Sequence, residues 1–129
     1  MKLMKLVIAT LFTITFPAHA WITVDNDNNG IVQYDEKTLL KEDGLIQVLV
    51  KHVLDEERHV QVVSNGKVNF LAETALVMIH CESGNFGAIK YEFFADRDAT
   101  LLVHSMDAFT TILKIPPATP IAKVMKAVC

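Results

Sequence analysis

The sequence predicts an α+β domain that is mostly β, an antiparallel sheet with a C-terminal helix tethered by a disulfide. Three observations lead there. Short runs rich in β-branched and aromatic residues alternate with turn formers along most of the 129-residue chain, which is the mark of successive strands. After Pro116-Pro117, residues 121–129 instead carry good helix formers with Ile121, Val124, Met125 and Val128 on one stripe. Only two cysteines are present, Cys81 in mid-chain and Cys129 at the end.

The first twenty residues read as a secretory signal peptide. Lys2 and Lys5 precede an uncharged apolar run from Leu6 to Phe16, and Ala18-His19-Ala20 supplies the small-residue cleavage site. The run is too short for a transmembrane helix, which needs about 20 residues. No cysteine lies near the cleavage point to accept a lipid. The expected mature chain is a single domain over 21–129, beginning at Trp21 and without a membrane span. Loss of Lys2 and Lys5 takes the net charge from −3 to −5. With arginine only at positions 58 and 97, that balance excludes a nucleic-acid binder, which needs clustered cations. In an exported chain the two cysteines most simply form one bridge. It would close a loop of roughly 50 residues and contribute roughly 4 kcal/mol. A pair of free thiols and an intermolecular link are the alternatives.

The elements follow in order. Trp21 to Val24 and Ile31 to Tyr34 flank the turn-rich Asp25 to Gly30 and make a hairpin. Asp35 to Leu39 is a turn or short helix, and Asp43-Gly44 breaks the chain before Leu45 to Leu54. In that third run Ile46, Val48, Val50, His52 and Leu54 share one face, expected to be inward. Asp55-Glu56-Glu57-Arg58 is expected as a solvated turn before a further strand over Val60 to Val63. Thr74 to Cys81 is apolar on both faces, so it should be central and covered on both sides, by a helix, a curled sheet or a second subunit. Ile89 to Phe94 and Thr100 to Met106 are two more strands, joined through Ala95 to Asp98. Thr119 is placed to cap the last helix, with Pro120 at its first position.

The order of these features resembles the surface-adhesin protein E family. The features are the leader, Trp21 opening the mature chain, the hairpin to Tyr34, Asp35 followed by Thr38, the strand ending in Cys81, the Pro116-Pro117 turn and the helix ending in Val128-Cys129. The resemblance spans nearly all of the mature chain. It implies an antiparallel sheet of about six strands with the C-terminal helix held on its concave face by the disulfide. Members include a bacterial surface protein that binds host matrix and serum proteins and has been associated with haem. This chain departs from that member by lacking a lipid-acceptor cysteine.

Candidate sites are few. Asp25, Asp27, Asn29 and Glu36, with the Ile31 carbonyl, match the spacing of a twelve-residue EF-hand calcium loop that includes Gly30 and the apolar Val32. An EF-hand also needs a helix entering the loop, whereas Trp21 to Val24 is β-branched, and a plain hairpin turn has the same composition. His80 and His104 are the pair expected to hold haem if their strands adjoin. No serine sits in a nucleophile elbow, and the carboxylates are scattered over turns. The sequence therefore reads as an exported non-catalytic protein-binding module, in the periplasm or at the cell surface, with adhesion to host or matrix proteins implied by the resemblance. The alternative is a periplasmic small-ligand or metal-binding protein using calcium or haem. A homodimer is expected from the two-sided apolar strand.

Overall fold

The computed structural model describes residues 19–64, 66–108 and 112–129; the rest of the expected leader, residues 1–18, lies outside them. Among the described residues eight strands and one α-helix follow one another. Strand β1 (Trp21–Asp27) turns into β2 (Gly30–Asp35), and a 3-10 turn over Glu36–Thr38 leads to the short β3 (Leu40–Glu42). Two long strands, β4 (Leu45–Val62) and β5 (Gly66–His80), form the centre. They are followed by β6 (Asn85–Phe94), β7 (Leu102–Asp107), the two-residue β8 (Leu113–Lys114) and helix α1 (Pro120–Val128).

All pairings are antiparallel, and six strands form the main path in the order β1-β2-β4-β5-β6-β7. The two short strands complete it, β3 alongside the start of β4 and β8 alongside the start of β6. Every main-path neighbour except the β2–β4 pair is also a chain neighbour. The topology is close to a meander, so most pairing is local.

The expected inward face of β4 is largely realised. Ile46, Val48 and Leu54 are buried, and the register sets Ile46 opposite Ile79 and Val48 opposite Val77. With Val32, Ala88 and Ile115, the residues Ile46, Val48, Val77 and Ile79 meet Val124 and Val128 of α1 in one core. Helix α1 begins as its sequence dictates. The Thr119 hydroxyl accepts from Ala122 N–H at 3.3 Å, Pro120 occupies the first turn and Lys126 sits in the last, where its charge opposes the helix dipole. Lys123 reaches from α1 to the Asp25 carboxylate on β1 at 2.7 Å. That contact holds the Asp25 carboxyl below the usual carboxylate range and the Lys123 amine above its own. At the other end Cys129 is bonded to Cys81, which follows β5, with Cα atoms 5.7 Å apart.

The charged segment Asp55 to Arg58 departs from the sequence expectation. It does not end a strand. Pairing runs from Val53 opposite Ala72 to Arg58 opposite Phe70, so four residues of β4 bulge against Leu71 alone while the ladder resumes beyond them. Leu54, within the bulge, still pairs with Gly30 of β2 and packs with Phe70 and Phe93 in a second small core. An exposed excursion satisfies the charges without breaking the strand, because β5 is long enough to re-engage. Arg97, in the loop after β6, donates to the Asp55 carbonyl at 2.9 Å and ties that loop to the bulge.

Two predictions follow from the packing. Gly30 has φ +124°, and a Cβ there would lie 2.0 Å from the Val53 carbonyl oxygen. Gly30→Ala should therefore destabilise the domain by about 2 kcal/mol or more, read as a lowered urea midpoint with an unchanged m-value. The Cys81→Ser/Cys129→Ser double variant opens a cross-link with a sequence separation of 48. It should lose about 4 kcal/mol; equal midpoints for oxidised and reduced protein would contradict the assigned role of the bond.

Candidate functional site

Two surface features stand out once the sheet is assembled. The first is its β7 edge. Among the described residues β7 pairs only with β6, so its outer row of backbone groups faces away from the sheet. Leu101, Leu102, Val103 and Met106 are exposed along it, and Ile112 and Leu113 continue the apolar surface toward β8. Natural edge strands are usually blunted by lysine, proline or a covering element. Leu102–Asp107 contains neither residue; among the described residues its protective features are the charged Asp107 at its end and a register irregularity at Val103. His104 stacks on Phe93 across this pairing, with ring centroids 6.0 Å apart.

The second is a cavity of about 220 Å³ between the sheet and the first turn of α1. Val32, Val50, Ala75, Val77, Phe86 and Ile121 give it an apolar wall, and the polar groups His52, Glu73 and Tyr91 also line it. His52 Nδ1 and a Glu73 carboxylate oxygen are 3.7 Å apart, an ion-pair distance longer than a hydrogen bond. Burial, with the Glu73 charge, pushes the Tyr91 hydroxyl above its usual pKa. Register explains the grouping, since Val50 lies opposite Ala75, His52 opposite Glu73, and Ala75 opposite Tyr91.

The residues singled out from sequence are placed differently. Asp25, Asp27, Asn29, Ile31 and Glu36 do not converge as a calcium loop, because the spacing of an EF-hand is laid out here as two strands. Asp27 Oδ1 accepts from Asn29 N–H at 2.8 Å in the turn, and Asp25 is engaged by Lys123. Ile31 is paired with Asn26. Glu36 lies beyond the far end of the hairpin, where its N–H donates to the Ala20 carbonyl, about 20 Å from the turn by strand rise. The β-branched tetrapeptide at the front could not supply the helix an EF-hand requires.

His80 and His104 are likewise apart. His80 pairs with Asn85 at one end of β6 and His104 with Phe93 near the other, about 26 Å along the strand, and β6 separates their strands. They do not share a haem iron. Among the described residues, no group of three or more His, Cys, Asp or Glu side chains is placed to hold a metal ion. The Cys81–Cys129 bridge is formed.

Sequence reasoning missed the β7 edge, the cavity and a buried polar cluster at the start of β1. The edge had a signal in Leu101-Leu102-Val103, three apolar residues in a row where a half-buried strand would alternate. The cavity had none, because it arises from pairings among four distant segments.

No curated protein is similar enough to match the chain. Among solved structures, several of Haemophilus influenzae protein E are similar in fold. One aligns with a TM-score of 0.61 at 14% identity over 84% of this chain and 83% of the other. A second crystal form aligns with a TM-score of 0.63, also at 14% identity, over 84% and 86%. Identity at this level carries the fold alone. The family model described as surface-adhesin protein E matches residues 21–129, the whole span of the sheet and its helix, and the chain belongs to the surface-adhesin protein E family.

Proposed function

We propose that this chain is an exported, non-catalytic module that binds a protein partner by taking an extended segment of it along β7. The observation that carries the reading is the exposed edge from Leu101 to Met106, with unpaired backbone groups beside apolar side chains and no lysine or proline to block pairing. Strand addition draws affinity from main-chain hydrogen bonds and selectivity from alternate side chains. Membership of a family of surface adhesins supports host matrix or serum proteins as the partners. It equally supports a position outside the cell envelope rather than in the periplasm. A second copy of this chain is the competing occupant of the same edge.

A second reading, small-ligand binding, is favoured by the cavity beneath α1. At about 220 Å³ it exceeds the roughly 150 Å³ that holds benzene in an apolar protein cavity. Glu73 on its lining favours a ligand with one cationic group. Benzylamine should perturb the Val50 and Val77 methyl resonances saturably, and Glu73→Gln should weaken it by about tenfold. Unchanged spectra at millimolar benzylamine would remove this reading.

Val103→Lys places a charge on the exposed edge without touching either core. It should reduce binding to immobilised matrix and serum proteins by about tenfold or more, with the melting temperature held within about 2 °C. Sizing of the mature protein separates the occupants: a wild-type dimer that Val103→Lys makes monomeric assigns the edge to self-association. Undiminished matrix binding by the variant would move the partner surface elsewhere. Protease digestion of the protein on intact cells supports the surface position; protection until the outer membrane is opened would end the adhesin role.

A further inference from the structure

The start of β1 is built around a buried carboxylate. Asp35, the last residue of β2, is 1% exposed and lies directly opposite Trp21 in the β1–β2 register. Its Oδ2 is 2.5 Å from His19 Nδ1, and its Oδ1 accepts from the Ala20 N–H at 2.9 Å and the Lys37 N–H at 3.0 Å. Burial pushes the carboxyl up, but those hydrogen bonds more than offset it and hold Asp35 below the usual carboxylate range. It is a charged group in a buried place.

Two of those three donors, His19 and Ala20, belong to the segment that the sequence marks for removal, with Ala18-His19-Ala20 as the cleavage site. The family match begins at Trp21, the first residue beyond it. Cleavage there would remove His19 and Ala20 from the Asp35 carboxylate and leave it the Lys37 N–H as its remaining hydrogen-bond donor among the described residues, and a partly desolvated carboxylate short of partners is costly. The same cleavage creates a cation. The new α-ammonium sits on Trp21, one residue along from the lost Ala20 donor, a Cα step of about 3.8 Å.

We propose that Asp35 is the receptor for the α-ammonium of Trp21 that leader removal creates, so that processing replaces two leader contacts by one ion pair and seals the first hairpin. The proposal rests on cleavage after Ala20 and is independent of the partner-binding reading. The rest of the surroundings suits a single added cation. Lys51 of β4 is buried with its Nζ 4.1 Å from the centre of the Trp21 ring. Burial lowers the Lys51 pKa, and the charges of Asp98 and Asp35 oppose that shift. The other charged groups near Asp35 are Glu36 and Lys37, which follow it in the 3-10 turn. Trp21 is thereby fixed from both ends, its ring by Lys51 and its amine by Asp35.

An ion pair with a buried carboxylate raises the pKa of an amine. The stability it adds is fully present below the amine's unfolded-state pKa and is lost as pH rises through the folded one. The test uses three forms of the chain. They are the mature protein beginning at Trp21, the same protein with residues 18–20 retained in front, and Asp35→Asn in the mature form. Mass spectrometry of the exported protein first reads the terminus, and a start other than Trp21 would overturn the proposal directly. NMR titration of the terminal amine then follows. In the mature protein it should titrate about 1 to 3 pH units above an ordinary α-amine, and melting temperature should fall across that interval. The extended protein keeps the His19 and Ala20 contacts to Asp35, carries its ammonium on Ala18 instead, and should titrate normally. Asp35→Asn should do the same; should it fail to fold, the extended protein decides. The same ordinary titration in the mature and extended proteins would refute the ion pair.

Discussion

The sheet depends on one covalent constraint, the bond that ends the chain. Nine residues are too few for a helix to persist in water, where isolated helices shorter than about 12 residues are marginal. Yet α1 supplies Val124 and Val128 to the main core, both nearly fully buried. Without that lid Val32, Val48, Val77 and Ile79 would face solvent together. The Cys81–Cys129 bond turns helix docking from an encounter between a floppy tail and a sheet into a local event beside β5. The Lys123–Asp25 contact fixes the same helix to the far side of the sheet. A half-exposed ion pair of this kind adds little alone, but with the disulfide it sets the helix across the strands rather than merely near them.

Closing one face so firmly moves the available interaction energy to the edges. The β1 edge is engaged near its middle by Lys123, and its first residue is tied through Trp21 and Asp35. Among the described residues the β7 edge has no such cover. Its side chains are apolar, and its backbone is half-paired. A soluble protein that carried this edge by neglect would aggregate. Its persistence in an exported chain with a net negative charge is easier to reconcile with an edge that is used.

Much of the fold was legible in the sequence because its signals are local. Alternation over Ile46 to Leu54, the Asp-Asn-Gly turn of the first hairpin, and Thr119-Pro120 ahead of a 3.6-residue stripe each specify an element without reference to distant residues. The continuity of β4 through Asp55 to Arg58 was not legible. Four charged residues look the same in a turn and in a bulge, and only the length of β5 decides between them. The calcium spacing misled for a related reason. A twelve-residue pattern states which oxygens are available, not whether the backbone curls them to one point or stretches them along two strands. His80 and His104 depended on strand adjacency, which no local pattern encodes.

The functional features were hardest to see because each is a relation between elements. His52, Glu73 and Tyr91 meet only through the register of β4, β5 and β6. Asp35 looked like an ordinary turn aspartate until β1 placed Trp21 against it. This also bears on how a chain 14% identical to the Haemophilus influenzae protein keeps its fold. Alternation, turn chemistry and a terminal cysteine tolerate wide substitution, whereas the character of an exposed edge can change with two or three side chains. Fold is therefore the conserved quantity one expects across such a family, and partner choice the free one. In this chain Leu102, Val103 and Met106 contribute little to the buried core and much to what the edge presents.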